Sequence, residues 1–253
     1  MLGAIIGDIA GSRFEFNNYR SKNFTMLDSK CFFTDDTVMT VAVADSLIKN
    51  SNVAKTLKKW GRKFPNRGYG GNFGYWIFSD TLEPYYSFGN GAAMRVSAAA
   101  WLAKDEDEVK YLAKKVTEVT HDHPEGLKGA EVTAMCIYYA RIGKSKNFIR
   151  NYVEQYYSLK FNYKSLKKNF KFNETCQETV PQAVYCFLIS KDFEDCIKTT
   201  ISIGGDCDTT AAISGAIAEA YYGIPKKTAR KALKFLPNSM KKVLKQFNKR
   251  VVK

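Results

Sequence analysis

Residues 203–212 read Ile-Gly-Gly-Asp-Cys-Asp-Thr-Thr-Ala-Ala, and this stretch constrains the fold more than any other. Adjacent glycines let the backbone turn through conformations that other residues avoid. Asp206, Asp208 and Thr209 then place two carboxylates and a hydroxyl within four residues. The following run, 211–220, is mostly alanine with glycine, serine and isoleucine, and Gly223 and Pro225 close it. Such a run predicts a helix, with the acids on its first turn, where they also favour the helix dipole. Far upstream, Thr34-Asp35-Asp36-Thr37 repeats the arrangement ahead of a second predicted helix, 38–48. Two Thr/Asp clusters on two helix starts read as the halves of one metal site.

The rest of the chain is helical in pattern. Small residues at 3, 4, 7, 10 and 11 recur at helical spacing and predict a helix over 1–16 whose backbone packs closely on its neighbours. Asp8 and Glu15 are its polar exceptions: Asp8 satisfies nearby backbone donors or serves the site, and Glu15, at the helix–loop junction, is the better functional candidate. Thr34 is placed to cap the second helix. Further helices are expected over 55–67, basic and at the surface, and over 96–103, 105–119, 125–142, 179–189 and 193–201. Alternation typical of strands is nearly absent, and no linker or repeat divides the chain. The expectation is an all-α fold: a single compact domain spanning 1–253, with a basic helical tail from about residue 226.

With 253 residues and 45% apolar composition, the chain has ample core and is not disordered. No apolar run reaches the roughly 18 residues of a membrane helix. The six cysteines form no CxxC pair, so they read as free thiols and point to the cytoplasm. A net charge of +14 invites a nucleic-acid reading, but eleven of the basic residues lie in 224–253, a stretch without an acid. That leaves about +3 for the remainder. Leu233, Leu236, Met240, Val243, Leu244, Phe247 and Val251 follow helical spacing there, which fits a helix docked on the body with a solvated basic face. Weak attraction to a polyanion is the other reading of the tail. Aromatics and lysines in 148–172 likewise read as core plus solvated face, with base stacking as the alternative.

Two glycine-rich segments, 68–74 and 86–95, remain. The second runs into a helix, and such a turn offers free backbone N–H groups to a phosphate. It matches neither a Walker nor a Rossmann fingerprint. Thr120-His121-Asp122-His123 holds both histidines. Neither a cysteine nor a third histidine stands at zinc spacing, so a histidine donating to a bound phosphate or hydroxyl is the stronger reading, beside a plain loop role.

Asp35, Asp36, Asp206 and Asp208 with Thr34 and Thr209 make an all-oxygen donor set, which selects Mg²⁺ or Mn²⁺. Four crowded carboxylates repel without counter-charge, and two divalent ions balance them. Beside a phosphate-cradling loop, the substrate is expected to be a sugar phosphate or nucleotide.

In order and spacing, Gly7-Asp8, Gly11-Ser12 and Glu15, Thr34 to Thr37, Gly89-Asn90-Gly91-Ala92-Ala93-Met94-Arg95, Thr120-His121 and Gly204 to Thr209 together resemble the ADP-ribosylglycohydrolases. The resemblance runs to about Pro225. It implies a compact orthogonal helical bundle with two Mg²⁺ or Mn²⁺ ions at the base of a cleft, held by Thr34, Asp35, Asp36, Asp206, Asp208 and Thr209. It implies substrate contacts from Ser87, Gly89, Asn90, Gly91, Ala92, Met94 and His121, the Gly89–Ala92 backbone taking the diphosphate. Glu15, Asp35 and Asp206 are the expected catalytic set, Glu15 as general acid/base. The implied activity is hydrolysis of the bond joining ADP-ribose to an acceptor; separately, the chain is expected to be a monomer. Alternatives are hydrolysis of ADP-ribosylated nucleic acid or of O-acetyl-ADP-ribose-type esters, and a non-catalytic ADP-ribose binder. Ser87 stands where arginine-directed relatives tend to carry an acid, and Cys207 stands between the ligand aspartates, where threonine or alanine is more usual.

Overall fold

The computed structural model describes residues 1–251. In chain order its helices are α1 (Leu2–Gly11), α2 (Asp35–Lys49), α3 (Val53–Lys63), α4 (Gly71–Phe78), α5 (Gly91–Met94), α6 (Ser97–Leu102), α7 (Glu106–Thr117) and α8 (Pro124–Arg141). There follow α9 (Lys146–Val153), α10 (Tyr163–Asn169), α11 (Cys176–Ile189), α12 (Phe193–Ile201), α13 (Cys207–Tyr222), α14 (Lys226–Ala232) and α15 (Asn238–Asn248). No strand occurs among the described residues; an isolated antiparallel bridge joins Gly89 to Thr175. Several helices begin where a short polar side chain accepts an early amide: Asn52 for α3, Asp105 for α7, Asn162 for α10 and Asp192 for α12. Each cap contributes about 1 kcal/mol.

The axis of the fold is the pair α1 and α13, which make the most extensive helix–helix contact. Their glycines explain it. A Cβ at Gly3 would lie 2.2 Å from the Gly215 carbonyl, and one at Gly7 only 2.0 Å from the Ala211 carbonyl. One at Gly11 would lie 2.4 Å from Asp208 Cα, so the helices run antiparallel with backbones touching. That geometry brings the end of α1 to the start of α13. α8, α11 and α12 pack on α13, and α2 packs on α1.

Several expectations shift in detail. α1 stops at Gly11, so Glu15 lies in the loop beyond it. The stretch 68–74, read as a loop, opens α4 at Gly71. The helix expected over 96–103 is the short α6, and the glycine-rich segment before it, read as a loop, contains the single turn α5. In the tail, Leu236, Met240, Val243, Leu244 and Phe247 are buried, and α15 packs on α2. No helix among the described residues is long and apolar enough to cross a membrane.

Candidate active site

The start of α2 is held from α1. Asp8, fully buried, accepts hydrogen bonds from the Thr34 hydroxyl at 2.7 Å, the Thr34 amide at 3.1 Å and the Thr37 amide at 3.0 Å. Thr34 was expected to cap α2, but its side chain makes no capping bond. The cap is Asp8, whose carboxylate meets two orphan amides at once.

The start of α13 is set by its approach loop. Gly204 and Gly205 adopt φ of +77° and +73°, and a Cβ at Gly205 would lie 2.5 Å from the Phe170 ring. Arg20 clamps this turn by donating to the carbonyls of Ile203, Lys167 and Phe170 at 2.5, 2.6 and 2.6 Å. Asn18 accepts the Gly205 amide at 2.9 Å and donates to the Glu15 carbonyl at 2.9 Å, tying Glu15 to the same corner.

The two helix starts meet. Thr209 Oγ1 donates to Asp36 Oδ2 at 3.1 Å across 173 residues of chain. Asp8, Asp36 and Asp208 offer oxygens within 4.8 Å of one another, as do Glu15, Asp206 and Asp208, so two metal-sized sets share Asp208. Asp36 Oδ1 is buried with no partner. Asn90 fixes Asp206 by donating to its Oδ2 at 2.6 Å.

Electrostatics agree with an uncompensated site. Burial, then the charges of Asp8, Asp35 and Asp206, holds Asp36 well above the usual carboxylate range. Asp208 is raised by burial and by Asp206 and Asp36, and Asp35 by burial, Asp8 and Asp206. Burial raises Asp206 too, against the Asn90 bond. Burial lifts Asp8 to about 6; burial and the Asp206 charge lift half-buried Glu15 to about 7. A donor set of oxygens only, crowded enough to retain protons, suits hard divalent cations.

Above this floor opens a cleft of about 200 Å³. Its lining includes Glu15, Asp35, Asp36, Asp206, Asp208 and Thr209 together with Ser87, Gly89, Asn90, Gly91, Met94 and His121. Two expected residues stand outside its lining. Thr34 lies behind the acids with its hydroxyl committed to Asp8, and Ala92 is fully buried with its amide bonded to the Gly89 carbonyl at 3.2 Å. The Asn90 amide is likewise taken, by the Glu174 carbonyl at 2.7 Å.

The two histidines diverge. His121 is buried with its ring against the 89–91 turn; His123 Nδ1 accepts the Glu125 amide at 3.0 Å and caps α8. Tyr85, Glu174 and the α4 start (Gly70 to Phe73) also line the cleft and were not singled out from sequence. Only the glycines of 68–74 gave a signal for the last.

Fold and site define a class: an all-α protein whose cleft ends in paired carboxylate sets suited to hard cations. Over residues 1–253 the chain matches the family described as ADP-ribosylglycohydrolase. It is 25% identical to human (Homo sapiens) ADP-ribosylhydrolase ARH3, across 88% of this chain and 84% of that one. It is 26% identical to the ADP-ribosyl-(dinitrogen reductase) glycohydrolase of Rhodospirillum rubrum, across 76% and 69%. A solved structure named ADP-ribosylglycohydrolase-related protein complex shares the fold, with a TM-score of 0.75 over 99% of this chain and 96% of that one at 21% identity. The chain belongs to the ADP-ribosylglycohydrolase family and is a glycohydrolase enzyme.

Proposed function

We propose that this chain hydrolyses the glycosidic bond between ADP-ribose and an acceptor, reversing ADP-ribosylation of a protein side chain or small molecule. One observation carries the reading: two carboxylate sets sharing Asp208 at the foot of a cleft walled by a glycine turn and a histidine. Asp35, Asp36, Asp206, Asp208 and Thr209, all on the cleft lining, would hold two Mg²⁺ or Mn²⁺ ions, with Asp8 and Glu15 as the third members of the two sets; Thr34, its hydroxyl committed to Asp8, supports them from behind, and the orphaned Asp36 Oδ1 supports that fit. When bound, such ions supply Lewis-acid polarisation and lower the pKa of water.

The chain's own groups do the rest. The 87–91 turn and His121 bind the diphosphate and fix the ribose over the acids. Asn90 keeps the Asp206 carboxylate aimed at the floor of the cleft. Glu15, half-buried on the cleft wall, is placed to take a proton from the attacking water and return one to the departing acceptor. Water attacks the anomeric carbon as the bond to the acceptor breaks. All six cysteines are free and buried, which supports a reducing, cytoplasmic setting.

The test offers ADP-ribosylated arginine, serine and DNA in parallel, with Mg²⁺, with Mn²⁺ and with chelator. Free ADP-ribose should appear from at least one linkage, vanish with chelator, and vanish in Asp206→Ala. Turnover undiminished by chelator would overturn the metal assignment, and release by Asp206→Ala would overturn the residue's role.

A further inference from the structure

Behind the glycine turn lies a buried cation that the reaction as described leaves without a task. Arg95 follows α5 and is 1% exposed. It forms no ion pair among the described residues, and its Nε has no partner. Its terminal nitrogen donates to Thr120 Oγ1 at 2.6 Å and lies 3.4 Å from both the Val116 carbonyl, near the end of α7, and His121 Nδ1. Thr120 Oγ1 stands 2.8 Å from the same Nδ1.

The donor inventory decides the direction of each bond. A guanidinium only donates, so Thr120 Oγ1 accepts from Arg95 and keeps its own proton to give. His121 Nδ1 is the acceptor within reach of that hydroxyl and of the guanidinium. With the guanidinium facing it at 3.4 Å, a bare Nδ1 avoids setting two donors against each other, which favours the ring's hydrogen on Nε2. Nε2 faces the turn: a Cβ placed on Gly91 would lie 3.1 Å from it, and one on Gly89 3.6 Å.

We propose that Arg95 and Thr120 are positioning residues that lock His121 as a neutral Nε2–H tautomer, so that it donates one fixed hydrogen bond to a diphosphate oxygen at the 89–91 turn. The proposal rests on the ADP-ribose reading only for the identity of that oxygen. Burial and the Arg95 charge both hold His121 well below the usual imidazole value, consistent with a ring that stays neutral. The ionisable groups around Arg95 are Tyr85 and Cys176, both pushed up to about 12 by burial and so uncharged. The guanidinium charge is left for an anion entering the cleft.

The test begins with imidazole nitrogen NMR on the wild-type chain without ligand. His121 should show an unprotonated Nδ1 and a protonated Nε2, unchanged between about pH 5 and 8. A protonated Nδ1, or a ring that titrates in that range, would overturn the proposal. Thr120→Val removes the relaying hydroxyl at nearly constant volume, and its fold is checked by melting. It should show a mixture of the two neutral tautomers, since the burial and the Arg95 charge that keep the ring neutral remain. It should also weaken ADP-ribose binding about tenfold, the worth of one charge-assisted hydrogen bond, with KM rising more than kcat falls. Thr120→Ser should restore both properties. A Thr120→Val protein with wild-type tautomer and affinity refutes the relay, as does failure of the serine rescue. Should the wild type not bind ADP-ribose at all, the functional reading fails, while the ligand-free spectrum still judges the tautomer.

Discussion

At the scale of single residues, Asp8 takes the capping role expected of Thr34, and Asn90, expected at the substrate, also holds Asp206. Replacing Asp8 with alanine strands the Thr34 and Thr37 amides, both buried, and should lower unfolding free energy by about 3 kcal/mol in a denaturant titration. An unchanged midpoint would show that α2 starts without help. Asn90→Ala frees the Asp206 carboxylate from its 2.6 Å donor and should cut kcat at least about tenfold, with ADP-ribose affinity moving less. A loss confined to affinity would place Asn90 with the substrate instead. Sequence made the acids legible because adjacent carboxylates at helix starts exceed what capping needs. The partner of each stayed hidden, since Asp8 serves amides 26 and 29 residues away and Asn90 reaches across 116. Thr34 looked like the cap because capping is judged locally, and a carboxylate arriving from another helix leaves no local trace.

At the scale of elements, backbone contact between α1 and α13 predicts a contrast between glycines. Gly7→Val forces a side chain into the Ala211 carbonyl and should unfold the protein or cost more than about 3 kcal/mol. Gly74→Ala, inside α4, meets nothing closer than 3.8 Å and should stabilise by about 0.5–1 kcal/mol. Thermal melts of the pair test both, and equal effects would refute the close-packing account. The small-residue face of α1 was readable, as was its need of a close neighbour, though spacing alone did not say which. α4 was not readable, because glycines and aromatics are weak helix formers. Its tertiary support comes from α3: Lys58, 4% exposed, donates to the Trp76 and Ser79 carbonyls at 2.5 and 2.8 Å, and Arg62 to the Ile77 carbonyl at 2.8 Å. A helix that read as basic surface thus turns one lysine inward to hold the end of a cleft-lining helix.

At the scale of the whole molecule, the acid floor ties stability to pH. Asp8, Asp36, Asp206, Asp208 and Glu15 bind protons more tightly folded than unfolded. Stability from such groups is complete below the ordinary carboxylate range and is lost as pH climbs through the folded values, about 6 for Asp8 and about 7 for Glu15. Chelator-treated protein should therefore melt at a lower temperature at about pH 8 than at about pH 5. Saturating Mg²⁺ should raise the melting point most at the higher pH, since a ligand of the folded state alone stabilises it by mass action. A melting point climbing with pH in chelator would contradict the crowding. The meeting of Asp36 with Thr209 over 173 residues has a temporal consequence as well. During synthesis the acidic start of α2 leaves the ribosome long before α13 is made, with Asp8 already available to secure it. The two carboxylate sets that share Asp208 are therefore completed only near the end of synthesis, and a nascent chain truncated before α13 carries only Asp8 and Asp36 of one set and Glu15 of the other.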